Sequence, residues 1–426
     1  MKKVLIITPY FPPINAADMQ RIRMSLPYFE NFNWLAEVIT VNPEYSELSK
    51  DELLMQNIPT NIKIHYVKAF SQKWTKRFGL GSIALRSIWF YKNYVDEFLK
   101  ENHFDLIYFS TTQFPLLILG KHWKKKFKIP YVIDMQDPWH STYYENKPKN
   151  EQPAKYWFSY RLNKYLEPLA MKNVGGLISV SQAYLDTLID RYPQLADVPT
   201  RVITFGAFKK DFELVKKQMA HFKSAYDKQN DSINLVYVGR GGHDLKEALL
   251  LLFTAFKKGL TEQPSIFNKI KFHFIGTSYA PKGEGIPTIM PIADEMDVAD
   301  YVNEQTDRIS FYESIYNLIT ADALLILGSD DPQYTASKIY PYILAEKPLM
   351  AYLHPKSSSA KIIKDTNAGN VISIKDEVAI PKSYDYLMNL ANHLLAKPLV
   401  DWQAFEPFSA KNMTKNQCIL FDKVII

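Results

Sequence analysis

The pattern that most constrains this chain is an alternation of short apolar runs with helical stretches, and it occurs twice. The first series contains KKVLIIT, AEVITV, IKIHYV, DLIYFS, IPYVIDM, GGLISVS and RVITF; the second contains INLVYVG, KIKFHFIG, RISFY, ADALLIL, KPLMAYL and NVISI. Runs this short and continuously apolar suit strands buried on both faces, and helices between them imply parallel sheets of βαβ units. The fold class is therefore α/β. The polar stretch GAFKKDFELVKKQMAHFKSAYDKQNDS separates the series, so a first domain is expected over 1–207 and a second over 208–407. The remaining 408–426 segment repeats Met413, Ile419, Leu420, Val424 and Ile425 at roughly helical spacing, which predicts a terminal amphipathic helix.

The 426 residues suit two or three domains, and 47% hydrophobic with 23% charged residues exclude wholesale disorder. The single cysteine, Cys418, has no partner for an intramolecular disulfide, and the opening MKKVLIITPYFPP is too short an apolar run for a secretory signal. No segment approaches the ~18 apolar residues of a membrane span, so a cytoplasmic protein is expected. The net charge of +6 is unevenly spread. Lys73, Lys76, Arg77 and Arg86 alternate with Trp74, Phe78, Trp89, Phe90 and Tyr91, and five lysines between Lys121 and Lys128 surround His122, Trp123 and Phe127. That pattern suits peripheral association with an anionic membrane, and equally a solvated helix face over the core. Nucleic acid is not an expected partner, because neither the overall charge nor any motif supports it.

Open α/β sheets bind ligands at the carboxyl ends of their strands. After the first strand, TPYFPPINAADMQRIR leaves through Pro12 and Pro13, passes Asn15 and Ala16, and enters a helix near Ala17 that carries Arg21. After the fifth, VIDMQDPWHS offers Asp134, Asp137 and Trp139; His140 reads as a solvated loop residue. Asp137 suits a hydrogen bond to a hydroxyl, and also a turn cap ahead of Pro138. LVYVGRGGHDLKEALLLLFTAF ends a strand at Gly239 and starts a helix near Asp244, with Glu247 completing a capping box. Arg240, Gly241 and Gly242 thus stand before a helix N-terminus, an anion site in its backbone N–H groups, dipole and guanidinium. It is neither a P-loop nor GxGxxG. No spacing of His, Cys and carboxylates supports a metal site.

The stretch from Arg308 to Ile374, with ADALLIL followed by SDDPQYTASKIYPYILAEKPLMAY, resembles the donor-binding half of GT-B glycosyltransferases of the retaining family 4. VIDMQDPW resembles the Asp-x-Arg-Asp-Pro-Trp signature of a subgroup, with Gln136 in place of arginine, and VYVGR matches the opening of the donor domain. The resemblance implies two Rossmann-like doubly wound domains facing a cleft, with the last helix crossing back to the first domain. It implies a nucleotide-diphosphate sugar as co-substrate, a glycan or lipid-linked glycan as acceptor, and neither cofactor nor metal. Asn15, Ala16, Arg21, Asp134, Asp137 and Trp139 would lie on the acceptor side. Gly239, Arg240, Gly241, Gly242, Phe311, Tyr312, Gln333, Ser337 and Lys338 would hold the donor, with Phe311 and Tyr312 leaving the RISFY strand toward the base. Asp137, Arg240 and Lys338 would carry catalysis, the last two by stabilising the departing diphosphate.

The chain departs from that pattern where the family has two glutamates, here Gln333 and Pro341, and where it has turn glycines, here Asn15, Ala16 and Ala17. Proline cannot bind ribose, and Pro341 is expected to start its helix, leaving Ser337 and Lys338 in a loop. Asp330 and Asp331 are candidate substitutes for the missing carboxylates. These departures sustain a second reading, a degenerate GT-B protein that binds a nucleotide sugar or a partner enzyme without turnover. A sugar-nucleotide epimerase ranks third, for want of acid–base carboxylates.

Overall fold

The structure is a computed structural model. It describes residues 1–75, 77, 81–140, 145, 156–228, 231–328 and 339–426. They form two compact units, Met1–Gly206 with Phe408–Ile426, and Ala207–Pro407.

The first unit is built on a seven-stranded sheet ordered β3-β2-β1-β4-β5-β6-β7, whose strands are β1 (Lys2–Ile7), β2 (Trp34–Val41), β3 (Lys63–Val67), β4 (Leu106–Ser110), β5 (Tyr131–Met135), β6 (Gly176–Ser179) and β7 (Thr200–Val202). All pairings are parallel, with Val4 opposite Leu106 and Ile107 opposite Tyr131. β4, β5 and β6 are buried at every position, as their unbroken apolar runs predict. The strand order reverses between β1 and β4, which makes their carboxyl ends the switch point of the sheet.

Right-handed crossovers from β3 through β6 all progress one way across the sheet, so the helices Ile83–Glu101, Ile118–Phe127 and Tyr156–Met171 share one face. The Gln20–Ser25 helix, on the reverse β1-to-β2 crossover, takes the other face, where the terminal Ala410–Val424 helix packs. Phe421 meets Trp34 and Tyr108 edge-on at 5.4 and 4.9 Å, and Asp422 holds Lys2 at 2.7 Å. Gly176 permits that seating, since a Cβ there would stand 2.7 Å from Val424.

The second unit carries a six-stranded parallel sheet ordered β10-β9-β8-β11-β12-β13, from β8 (Ile233–Val238), β9 (Ile270–Ile275), β10 (Val302–Gln305), β11 (Ala323–Leu327), β12 (Leu349–Leu353) and β13 (Asn370–Ser373). Its order reverses between β8 and β11. One predicted strand is corrected here. RISFY is not a strand: Ser310 caps a helix over Phe311–Thr320, its hydroxyl accepting from the Glu313 amide while the Glu313 carboxylate accepts from the Ser310 amide. That capping box fixes a helix start more strongly than a brief apolar alternation fixes a strand. The strand at that place in the sheet is β10, an edge strand too polar to register as an apolar run.

Among the described residues, no helix is long and apolar enough to cross a membrane.

Candidate functional site

Each unit has its own strand-end site, and each is assembled differently. In the first, the 9–19 loop after β1 is pinned by backbone bonds from Asn15 N to Ser49 O at 2.9 Å and from Asp51 N to Pro13 O at 2.7 Å. Asn15 is half-buried and Ala16 buried. The loop delivers Asp18, whose Oδ2 accepts from the Thr111 hydroxyl at 2.8 Å and from the Thr112 amide at 3.1 Å. Burial pushes the Asp18 carboxyl above the usual carboxylate range, against the pull of these bonds. None of these three residues stands out by motif. Their signal was position, a polar TTQ directly after β4 and a carboxylate directly after the β1 loop.

Arg21 and Asp134 are fully buried and face each other, Nε 2.6 Å from Oδ2. Arg21 also donates to the Ile203 and Thr204 carbonyls at 2.8 and 3.1 Å and lies over the Phe205 ring. Asp134 Oδ2 accepts from Tyr108, Ser110 and Gln136. The expected acceptor-side contact for this pair is therefore corrected: both side chains are sealed inside the unit, where they fasten the end of β5 to the 203–205 segment. Gln136, in place of the family arginine, is buried and donates to the Asp18 carbonyl and to Ser110. Adding a cation beside Arg21 would leave two positive charges on one buried carboxylate.

Asp137 is exposed, and partial desolvation followed by the nearby Asp18 charge holds its carboxyl above the usual range. Trp139 is buried, stacked on Phe114 at 5.4 Å and donating to Asn163, so its ring has no open face for a sugar. His140 is buried rather than solvated. Its amide donates to Glu167 and its ring lies 4.8 Å from that of Tyr160, while burial and the Arg191 charge lower its pKa.

In the second unit, Gly239 to Gly242 leave β8 at the switch point. The expected free amides are corrected too. Gly239 N donates to Ile275 O, Gly241 N to Thr277 O, and Gly242 N to Thr288 Oγ1. Asp244 does not cap the following Lys246–Glu262 helix, and Glu247 instead holds Lys375 at 2.9 Å. Asp244 grips the Arg240 guanidinium through both oxygens, and both side chains remain about one-third exposed. The sequence signal was the Arg-to-Asp spacing of four. Gly242 sits at φ 147°, and a Cβ on it would stand 2.6 Å from Asp244 Oδ1. Glu304 of β10 closes the outer wall, accepting from the Thr277 hydroxyl and from the amides of Thr288, Ile289 and Met290.

Phe311 and Tyr312 open the Phe311–Thr320 helix rather than leave a strand, and Tyr312 is buried with its hydroxyl on Asp211 at 3.1 Å. Pro341 is not the first residue of its helix, which runs Ile339–Ala345. The next residue, Tyr342, bonds the Val238 amide at 2.7 Å, tying this helix to the end of β8. Gln333, Ser337 and Lys338, with Asp330 and Asp331, lie outside the described residues.

Two cavities lie elsewhere. One of about 780 Å³ in the first unit lies among Phe104, Asp105, Pro130 and Ile426, and one of about 550 Å³ in the second among Ile233, Asp322, Lys347 and Pro348, both at the amino ends of strands. The strand-end loops are the better candidates on the topology of the sheets.

No family model matches the chain, and no curated protein does. Solved structures do. The chain is similar to a sucrose-phosphate synthase from Thermosynechococcus elongatus, with 11% identity over 99% of this chain and 98% of that one, at a TM-score of 0.55. The chain has the GT-B fold. A glycosyltransferase from Rickettsia africae is matched with 13% identity over 99% and 97% of the two chains at 0.57, and Anabaena Alr3699/HepE in complex with UDP-glucose with 15% over 98% of each at 0.53.

Proposed function

We propose that this protein transfers a sugar from a nucleotide-diphosphate sugar to a glycan or lipid-linked glycan acceptor, with retention and without a metal. The observation that carries the reading is the pairing of the GT-B fold with the Arg240 turn at the switch point of the second sheet. Arg240 would meet the diphosphate by exchanging Asp244 for phosphate oxygens, a trade its partial exposure permits. Lys338 would join it, and together they would offset charge on the leaving group. Asp137 would accept a hydrogen bond from the acceptor hydroxyl, its raised pKa matching a group that takes up a proton. The solved neighbour in complex with UDP-glucose makes UDP-sugars the first donors to try.

A second reading, nucleotide-sugar binding without turnover, is favoured by the consumed glycine amides and the Arg240–Asp244 pair, which leave the turn less open to a diphosphate than its sequence implied. One experiment separates them. Thermal stabilisation by UDP-, GDP-, ADP- and CMP-sugars in chelator is measured on wild type, Arg240→Ala and Lys338→Ala, followed by product analysis with acceptors. Stabilisation by one nucleotide family, lost in both variants and accompanied by glycoside formation, supports transfer. Stabilisation without glycoside supports the binding reading, and no stabilisation by any donor rejects both.

A further inference from the structure

We propose that the surface formed by the Ile118–Phe127 and Tyr156–Met171 helices is a docking face for anionic lipid headgroups. The two helices follow β4 and β5, share one face of the first sheet and pack against each other. Their charge is one-sided. The first contains Lys121, Lys124, Lys125 and Lys126 and no acid; the second contains Arg161 and Lys164 and one acid, Glu167. Glu167 is buried and committed inward to Arg191, Tyr192 and the His140 amide, so it gives the surface no compensating charge. Lys126 pairs with Asp96 and Lys124 donates to the Asn173 carbonyl. Lys121, Lys125, Arg161 and Lys164 have no such partner among the described residues.

The aromatic residues select the occupant. Trp157, Arg161, Lys164 and Tyr165 fall at i, i+4, i+7 and i+8, one stripe of the helix, while Leu166 and Ala170 turn into the core. Trp157 is 65% and Tyr165 69% exposed, and the Arg161 guanidinium lies 5.8 Å from the Trp157 ring. Cations alone would serve an acidic protein or a phosphate backbone, and would leave two large rings in water without a role. Indole and phenol rings interleaved with lysine and arginine suit the headgroup layer, where the rings sit among glycerol esters and the cations meet lipid phosphates. The other exposed aromatic group, Phe70, Trp74 and Trp89, adjoins the Ile83–Glu101 helix, whose Lys92 and Lys100 are paired with Asp96 and Glu97. Its exposed Lys73 and Arg77 beside Trp74 make it the competing basic–aromatic patch, and the experiment weighs one patch against the other.

The inference does not rest on sugar transfer, because binding is read without turnover. The full chain is sedimented with vesicles of phosphatidylcholine, alone or with roughly one-third phosphatidylglycerol, at low salt and at roughly 0.5 M salt. The expected result is partition at least about tenfold stronger onto anionic vesicles, removed by salt. Arg161→Glu with Lys164→Glu should fall to the neutral-vesicle level. Lys121→Gln with Lys125→Gln, on the other helix, should weaken binding severalfold, as should Trp157→Ser with Tyr165→Ser, and Trp74→Ser with Trp89→Ser should bind as wild type. Melting temperatures check that these exposed substitutions leave the fold intact. Equal binding to both vesicle types, unchanged binding of the Arg161/Lys164 variant, loss confined to the Trp74/Trp89 variant, or binding of single-stranded RNA in place of vesicles would each overturn the proposal.

Discussion

The two sheets reverse strand order at the same topological place and finish it by opposite means. At the β1/β4 end, charge is sealed in: Arg21 and Asp134 are both without exposure and are knitted to Tyr108, Ser110, Gln136 and the 203–205 backbone. At the β8/β11 end, the ion pair of Arg240 and Asp244 stays within reach of water. A buried pair cannot be traded for a ligand, since removing either partner strands a charge in a low dielectric. A pair about one-third exposed can exchange partners at lower cost. One switch point is closed by a buried ion pair and the other by a pair that water reaches, although the sequence marks both with an arginine.

Arg21→Ala tests the sealed end and should have the largest effect, a loss of about 3–5 kcal/mol, because Asp134 is left uncompensated. Adding Asp134→Asn should recover part of it. Trp34, Trp74, Trp89, Trp123, Trp139 and Trp157 precede residue 207 and only Trp402 follows it, so tryptophan fluorescence in urea reports chiefly on the first unit. A loss under about 1 kcal/mol would place Arg21 with the exposed pairs and erase the contrast.

One buried titratable group of the second unit, His273, is kept uncharged, which gives the next effect. His273 stacks on Tyr226 at 3.9 Å and meets the Asn234 Oδ1 atom at 3.0 Å, and burial lowers its pKa to about 4. The fold favours the neutral ring. Its contribution is therefore complete above the unfolded pKa of about 6.5 and is lost as pH falls toward about 4. Denaturant midpoints followed by circular dichroism should decline over that window, and His273→Phe should flatten the decline.

Asp18 should act in the opposite sense. Its raised pKa means that the native state favours the protonated acid, so stability drains as pH rises above the ordinary carboxylate range. Asp18→Asn keeps an acceptor for Thr111 and Thr112 without the charge. Its melting temperature should gain on wild type as pH climbs from acid to neutral, and a gap independent of pH would refute the assignment. The smallest stability effect belongs to Arg240→Ala, under about 1 kcal/mol for so exposed a pair. Asp244→Asn should nonetheless strengthen stabilisation by nucleotide diphosphates severalfold by releasing the guanidinium, and unchanged or weaker binding would show that Asp244 does not compete with the ligand.

The strands that the sequence made legible are those buried on both faces. β4, β5, β11 and β12 read as unbroken apolar runs because no position along them meets water. β10 was illegible because an edge strand with a polar face carries no such run, and RISFY misled because its alternation masked the Ser310–Glu313 box. Of the site, the positions were legible and the pairings were not. Asp134, Asp137, Arg21 and Arg240 were named from the strand ends, while Asp18, Thr111 and Thr112 were missed because single polar residues in loops carry no periodic signal.

What the sequence by itself determined is the class of fold and the places where chemistry can occur, since hydrophobic periodicity and turn residues act over a few neighbours. What only the tertiary structure decided is which charges are spent. Arg21 meets a carboxylate 113 positions along the chain and Arg240 one four positions away. Whether such a charge holds the fold or waits for a ligand depends on the water left around it, which is a property of packing and not of order along the chain.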